Sequence, residues 1–212
     1  MYLAQVTRYD ILFSVNHLAR AMSKPSNAHM GAAKHVLRYL AGTISFDITY
    51  KKGFFSLTAF SDANWGNHPD NGKSMSSYIM MMSNGPVSFK VGLQGITVQS
   101  TMEAELVAAA LAMKEAVYCA NMMQELGSGE KFKCVPLHID NNSAQHVAGN
   151  HTFSSRAKHV ALRLFYIREI VQEGKVGIYY VPTEDNISEL GKKFLYKNRH
   201  RYLIGLIRDF KA

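Results

Sequence analysis

The period of the apolar residues changes twice along this chain, and that change constrains its fold more than any other feature. Through residues 2–41, Leu3, Val6, Ile11, Leu12, Val15, Leu18 and Met22 recur every three or four positions, the spacing of an amphipathic helix. Ser23-Lys24-Pro25-Ser26-Asn27 supplies a stop and a new N-cap, and a second helix through Ala32, Val36, Leu37 and Leu40 runs to Gly42. From Ile44 the period becomes two. Residues 45–50 alternate, 57–60 lead into Asp62, and 78–82 with 87–90 form a hairpin about an Asn84-Gly85 turn. Residues 96–99 add a short strand.

The helical period returns behind Ser100-Thr101-Met102-Glu103, which has the Ser-x-x-Glu spacing of a capping box. Leu106, Val107, Ala110, Leu111, Met113, Val117 and Met122 carry that helix until Gly127 and Gly129 end it. Residues 135–139 read as a strand ending at Asp140, and Asn141-Asn142-Ser143 caps another helix. A further helix covers roughly 158–173, 175–181 is the last strand, and a final helix starts near Asp185. From residue 57 the order is β-β-β-α-β-α-α-β-α. The spacing predicts one α/β unit over 53–212, preceded by a helical appendage over 1–52.

Composition narrows the class. With 212 residues, 47% hydrophobic and 19% charged, the chain can bury a core, which excludes disordered and collagen-like architectures. Cys119 and Cys134 form neither a CxxC pair nor a disulfide framework, as suits a reducing compartment. No unbroken apolar run approaches the ~20 residues of a membrane span. Arg8 and Asp10 interrupt any signal-peptide core, and no membrane partner is expected. Residues 1–60 carry seven basic and two acidic groups (7 − 2 = +5), and 191–212 carry seven and one (7 − 1 = +6). The stretch between has ten and thirteen (10 − 13 = −3). Basic ends around an acidic middle point to a polyanion partner and, separately, to a carboxylate site.

Asp62 and Asp140 each follow an apolar strand, where ligand sites of open α/β sheets collect. One such Asp is ordinarily a turn or cap former. Two, with Asn64 and Asn141 close behind, point to chemistry, because converging carboxylates repel unless a cation binds between them. Oxygen ligands without a Cys or His cluster favour Mg²⁺ or Mn²⁺ over zinc.

Five segments, in order, resemble the ribonuclease H domain of copia-type retrotransposon polyproteins. They are Phe60-Ser61-Asp62-Ala63-Asn64-Trp65, Ser100-Thr101-Met102-Glu103-Ala104-Glu105-Leu106, His138-Ile139-Asp140-Asn141-Asn142-Ser143-Ala144, Ser155-Arg156-Ala157-Lys158-His159 and Val181-Pro182-Thr183-Glu184-Asp185-Asn186. The similarity covers residues 57–205. Thr7-Arg8-Tyr9-Asp10-Ile11 and Leu37-Arg38-Tyr39-Leu40 resemble the end of the preceding reverse transcriptase region. No polymerase Tyr-x-Asp-Asp motif occurs, so this chain is not itself a reverse transcriptase.

The resemblance implies a ribonuclease H-like fold, a mixed five-stranded sheet flanked by helices. It implies two Mg²⁺ or Mn²⁺ ions on four catalytic carboxylates and hydrolysis of the RNA strand of RNA–DNA hybrids. Asp62 and Asp140 match the first and third carboxylates. Glu103 and Glu105 are candidates for the second. Glu103 holds the capping-box position, whereas Glu105 lies further into the helix where the fold places its catalytic Glu, and Glu105 is favoured. Glu189 stands where the fourth is usually Asp. Asn64, Asn141, Ser143 and Gln145 are candidates for contacting the strands. The implied setting is intracellular, cytoplasmic or nuclear, with a separately supplied reverse transcriptase as a further partner.

This chain departs from the family pattern at Tyr9 (usually Pro), Asn64 (Asp), Ala161 (Asp), Phe165 (His) and Lys192-Lys193 (Thr-Lys). Those departures carry a second reading, a retrotransposon remnant kept as a nucleic-acid-binding or protein-interaction module. An integrase-type transferase is a weaker third reading, since Glu105 precedes Asp140 and does not follow it on a helix.

Overall fold

A computed structural model describes residues 1–52, 56–66, 68, 72–127, 132, 134–140 and 158–208. Three short N-terminal elements come first: α1 (Tyr2–Val6), a 3₁₀ turn (Tyr9–Ile11) and α2 (Leu12–Arg20). The longer α3 (Asn27–Ala41) starts at Ser26, whose side chain accepts from the His29 amide. The sheet then builds from β1 (Leu57–Asn64), β2 (Met75–Met82) and β3 (Gly85–Leu93). Next come α4 (Thr101–Glu125), β4 (Val135–Ile139), α5 (Lys158–Gln172) and β5 (Val176–Tyr180). Two 3₁₀ turns (Thr183–Asp185 and Ile187–Gly191) lead to α6 (Lys197–Arg208). The helix expected after Asn141 lies outside the described residues.

The five strands run in the order β3-β2-β1-β4-β5. β1, β2 and β3 are antiparallel neighbours, while β4 is parallel to both β1 and β5. This is the mixed, open, helix-flanked sheet of a ribonuclease H-like fold.

Alternation along each strand divides the core between the two faces. Leu57, Ala59, Tyr78, Met80 and Leu137 face α4 and α5, where Leu106, Met113, Leu164 and Ile167 complete one cluster. Phe60, Ile79 and Met81 point the other way and meet Tyr9, Ile11, Leu12 and Phe13 from the N-terminal segment. Ile187, Leu190, Leu203 and Ile204 close that second cluster. Met80 and Met81 therefore serve opposite faces, as their alternation predicts.

α4 forms because Ser100 caps it and an alanine-rich interior favours helix. It ends where Gly127 takes φ +83°, a conformation that favours glycine. By length and composition it could cross a membrane. Here one face of it is buried in the core, from Ala104 to Cys119, while Leu111 and Tyr118 are exposed on the other.

Several sequence expectations need correction. Residues 44–50 form no strand. Their alternation is used by side chains laid over the hairpin, with the Tyr50 hydroxyl donating to the Pro86 carbonyl at 2.8 Å. The hairpin turn is centred one residue early, on Ser83 (φ 53°) and Asn84 (φ 66°). Gly85 is required for space instead: a Cβ there would lie 2.6 Å from the Tyr50 ring. Residues 96–99 pair with no strand, and the Val98 carbonyl accepts from the Trp65 indole at 3.0 Å. β1 does not stop before Asp62 but continues to Asn64, because its pairing with β2 runs on past the apolar residues. The final helix starts at Lys197, not near Asp185. Asn186 diverts the chain, its side chain accepting from Ser188 N–H at 3.2 Å and donating to the Ser61 carbonyl at 3.0 Å.

Candidate metal-binding active site

Strand register brings the two aspartates together. Phe60 pairs with His138 across the parallel β1–β4 ladder, so two residues further along each strand Asp62 and Asp140 lie side by side on one face. The Phe60 and His138 rings stack below them at 4.9 Å. Asp62 is fully buried, and Asp140 is half-buried just past the end of β4.

The third carboxylate comes from α4. Glu105 is buried, and the Ala63 amide donates to its Oε1 at 3.2 Å. Glu103 turns away: its Oε2 accepts from the Gln99 amide at 2.7 Å while its own amide bonds Ser100 Oγ at 3.2 Å. Capping thus occupies one glutamate and leaves the other for the cluster. Among the described residues, Asp62, Glu105 and Asp140 offer oxygens all within 4.8 Å of one another.

This trio fits a divalent cation. Among the described residues Asp62 Oδ2 and Glu105 Oε2 are buried without a hydrogen-bond partner, an arrangement that costs free energy unless a cation meets them. Burial pushes the Asp62 carboxyl up to about 7, with Lys192 pulling it back and Asp140 adding to the rise. Burial, followed by the charges of Asp62 and Asp140, also lifts Glu105 well above the carboxylate range.

Glu189 stands outside the trio. It is buried in the second 3₁₀ turn, with Lys193 Nζ 2.8 Å from Oε1. Arg199 Nε donates to Oε2 at 2.7 Å, and Nη2 of the same guanidinium donates there too. Burial alone would raise its pKa, but the hydrogen bonds from Lys193 and Arg199 outweigh that and lower it.

Lys192 was not anticipated as a site residue. Its ammonium donates to Asp62 Oδ1 at 2.7 Å and lies 3.9 Å from Asp140 Oδ2. Burial works against the charged amine, yet Asp62, Asp140 and Glu105 together raise its pKa. The one sequence signal for it was the departure from Thr at this position. Asn64 ends β1, half-buried, two residues beyond Asp62. Asn141, Ser143 and Gln145 lie outside the described residues.

No protein-family model matches the chain. Over 189 residues, 89% of its length, it is 37% identical to the retrovirus-related Pol polyprotein from transposon RE2 of Arabidopsis thaliana, covering 13% of that protein. Over 199 residues, 94% of its length, it is 31% identical to the corresponding polyprotein from transposon TNT 1-94 of Nicotiana tabacum, covering 15%. It therefore spans only a small fraction of these relatives. The crystal structure of RNase H1 from the archaeon Halobacterium salinarum NRC-1 superposes with a TM-score of 0.45 at 16% identity. That match covers 63% of this chain and 90% of the other. The shared sequence along most of its length, joined to the strand order of its sheet, places the chain in the copia-type retrotransposon Pol family, as a ribonuclease H-like segment of that polyprotein.

Proposed function

We propose that this chain is a ribonuclease H-type phosphodiester hydrolase, cutting the RNA strand of RNA–DNA hybrids with the help of Mg²⁺ or Mn²⁺. One observation carries this reading: three carboxylates from β1, β4 and α4 converge, and two of their buried oxygens have no partner among the described residues. A bound divalent ion supplies Lewis acidity toward a phosphate oxygen and an acidified water. Asp62 and Asp140 hold their oxygens in place through strand register, and the Ala63 amide orients Glu105. Asn64, Asn141, Ser143 and Gln145 follow or adjoin these carboxylates in sequence and are proposed to contact the strands. Hybrid recognition would rest on groove shape and the 2′-hydroxyl, not on base edges.

The full four-carboxylate, two-ion arrangement requires Glu189 to release Lys193 and Arg199. That engagement favours a second reading, a catalytically weak copy retained for binding. A separately supplied reverse transcriptase is the proposed partner, and an intracellular setting, cytoplasmic or nuclear, is proposed for the reaction. The test is a labelled RNA–DNA hybrid incubated with the full chain in Mg²⁺ and in Mn²⁺, beside Asp62→Asn and Glu105→Gln. Cleavage lost in both variants supports the nuclease. Binding of the hybrid without cleavage in either metal supports the second reading.

A further inference from the structure

We infer that the Lys192 ammonium is the resident cation of the carboxylate site, so that a divalent ion reaches Asp62 Oδ1 only by displacing it. The inference rests on reading Asp62, Glu105 and Asp140 as a metal site.

Three observations place Lys192 there by construction. First, the ammonium is aimed at the trio: it lies 2.7 Å from Asp62 Oδ1 and 3.9 Å from Asp140 Oδ2, with only 11% of the side chain exposed. Second, its backbone is fixed. Lys192 ends the buried 3₁₀ turn, its amide donating to the Glu189 carbonyl at 3.1 Å. Third, the residue before it has no side chain because none would fit. A Cβ on Gly191 would lie 2.1 Å from Ser77 Oγ and 2.5 Å from Val91 Cγ2. Ser77 is the β2 partner of Asp62, so pressing Gly191 onto Ser77 sets the next residue opposite Asp62. The neighbouring cations are committed elsewhere, since Lys193 and Arg199 both pair with Glu189.

A single ammonium beside three carboxylates leaves Asp62 Oδ2 and Glu105 Oε2 unpartnered. The site therefore keeps an affinity for divalent ions, opposed by the cost of removing a buried, hydrogen-bonded ammonium from Asp62. Lys192 thus weakens metal binding and relieves the metal-free fold of part of its carboxylate repulsion.

The experiment compares Mn²⁺ binding by calorimetry, and melting temperature in EDTA and in Mn²⁺, for the full wild-type chain, Lys192→Thr, Lys192→Met and Lys192→Arg. The Thr and Met variants are expected to bind Mn²⁺ at least about tenfold more tightly, the factor for one charge-assisted hydrogen bond. They should melt lower than wild type in EDTA and gain more from Mn²⁺, while Lys192→Arg stays with wild type. Equal affinity in wild type, Thr and Met variants overturns the inference while the metal site stands. No Mn²⁺ binding by any of the four overturns both. Reductive methylation of wild type, read by mass spectrometry, needs no variant. Lys192 should resist labelling in EDTA and become labelled as Mn²⁺ is added; labelling at the rate of Lys193 in EDTA, or no change on adding Mn²⁺, overturns the inference.

Discussion

Removing residues 1–52 is expected to unfold this protein, because the N-terminal segment supplies five of the fourteen buried residues in the cluster on one face of the sheet. Tyr9, Ile11, Leu12 and Phe13 are each at most 5% exposed and pack on Phe60, Ile79 and Met81 of the sheet. Burying each such side chain is worth about 1.5–3 kcal/mol, so the four together contribute about 6–12 kcal/mol. Domains of ordinary size have about 5–15 kcal/mol of total stability, so little or none would remain. The loss would also expose the apolar face of β1 and β2 to solvent. Far-UV circular dichroism and urea unfolding of residues 53–212 against the full chain make the comparison. Leu12→Ala serves as the graded version, with an expected cost of about 2–5 kcal/mol. At a urea slope of about 2 kcal/mol per molar, its midpoint should fall by about 1–2.5 M. A truncated chain that unfolds cooperatively at the full-length midpoint would refute the argument, as would a Leu12→Ala midpoint indistinguishable from wild type.

Glu105→Gln keeps an acceptor for the Ala63 amide and removes one repelling charge, so in EDTA it should melt at or above wild type. Glu103→Gln, confined to the cap, should shift stability by no more than about 0.5 kcal/mol, and a larger drop would contradict its capping role. Gly191→Ala forces a methyl onto Ser77 and Val91 and should cost about 1–3 kcal/mol in urea unfolding; a neutral outcome would mean the turn does not press on the sheet. Asp62, lifted to about 7, and Glu105 both have folded pKa values above their unfolded ones. The contribution of Asp62 is therefore full below the unfolded carboxylate range and lost as pH rises through about 7, that of Glu105 has the same sign, and in EDTA the urea midpoint should fall from about pH 5 to about pH 8. Divalent metal should flatten that slope, and a metal-free midpoint that rises over the same range would contradict the assignment. Burial, and then the charge of Glu115, pushes the Cys119 thiol up to about 11, whereas Cys134 is exposed. A thiol reagent at about pH 8 should therefore label Cys134 rapidly in the native chain and Cys119 only after unfolding.

The site was legible in the sequence where local pattern and strand ends determine it. Asp140 follows an apolar run, Ser100 and Glu103 announce a cap, and Glu105 falls two positions further along the same helix. What the sequence left open depended on contacts between distant segments. The alternation of residues 45–50 is real, yet it serves packing on the hairpin and not a ladder, and no local pattern separates those uses. Gly85 reads as a turn residue, but the ring of Tyr50 dictates it, from 35 positions away (85 − 50). The 3₁₀ turns after Pro182 look helical in composition, and it is the Asn186 side chain reaching Ser61 that stops a regular helix there. Lys192 reads as one more cation in a basic tail, and only its approach to Asp62 gives it a place in the site.

The two halves of the candidate site are built by different means. Asp62, Glu105 and Asp140 are held by sheet register and by one long capped helix, so their convergence follows from the fold itself. Glu189 sits on, and Lys192 directly follows, a five-residue turn that depends on neighbours for its position. One of those neighbours is Tyr9. The Tyr9 hydroxyl is buried, donates to the Ser188 carbonyl at 3.2 Å and shares a 2.8 Å hydrogen bond with Ser77 Oγ. It thereby ties the N-terminal segment to both the turn that carries Glu189 and the strand residue against which Gly191 is pressed. A proline at that position would have no hydroxyl to make either bond. Tyr9, Glu189 and Lys192 thus meet in one contact network, with Tyr9 fixing the turn, Glu189 neutralised by Lys193 and Arg199, and Lys192 delivered to Asp62. The carboxylates of β1, β4 and α4 converge as a candidate metal site, while Lys192, just past the turn, brings an ammonium to it and Glu189 is held apart by Lys193 and Arg199.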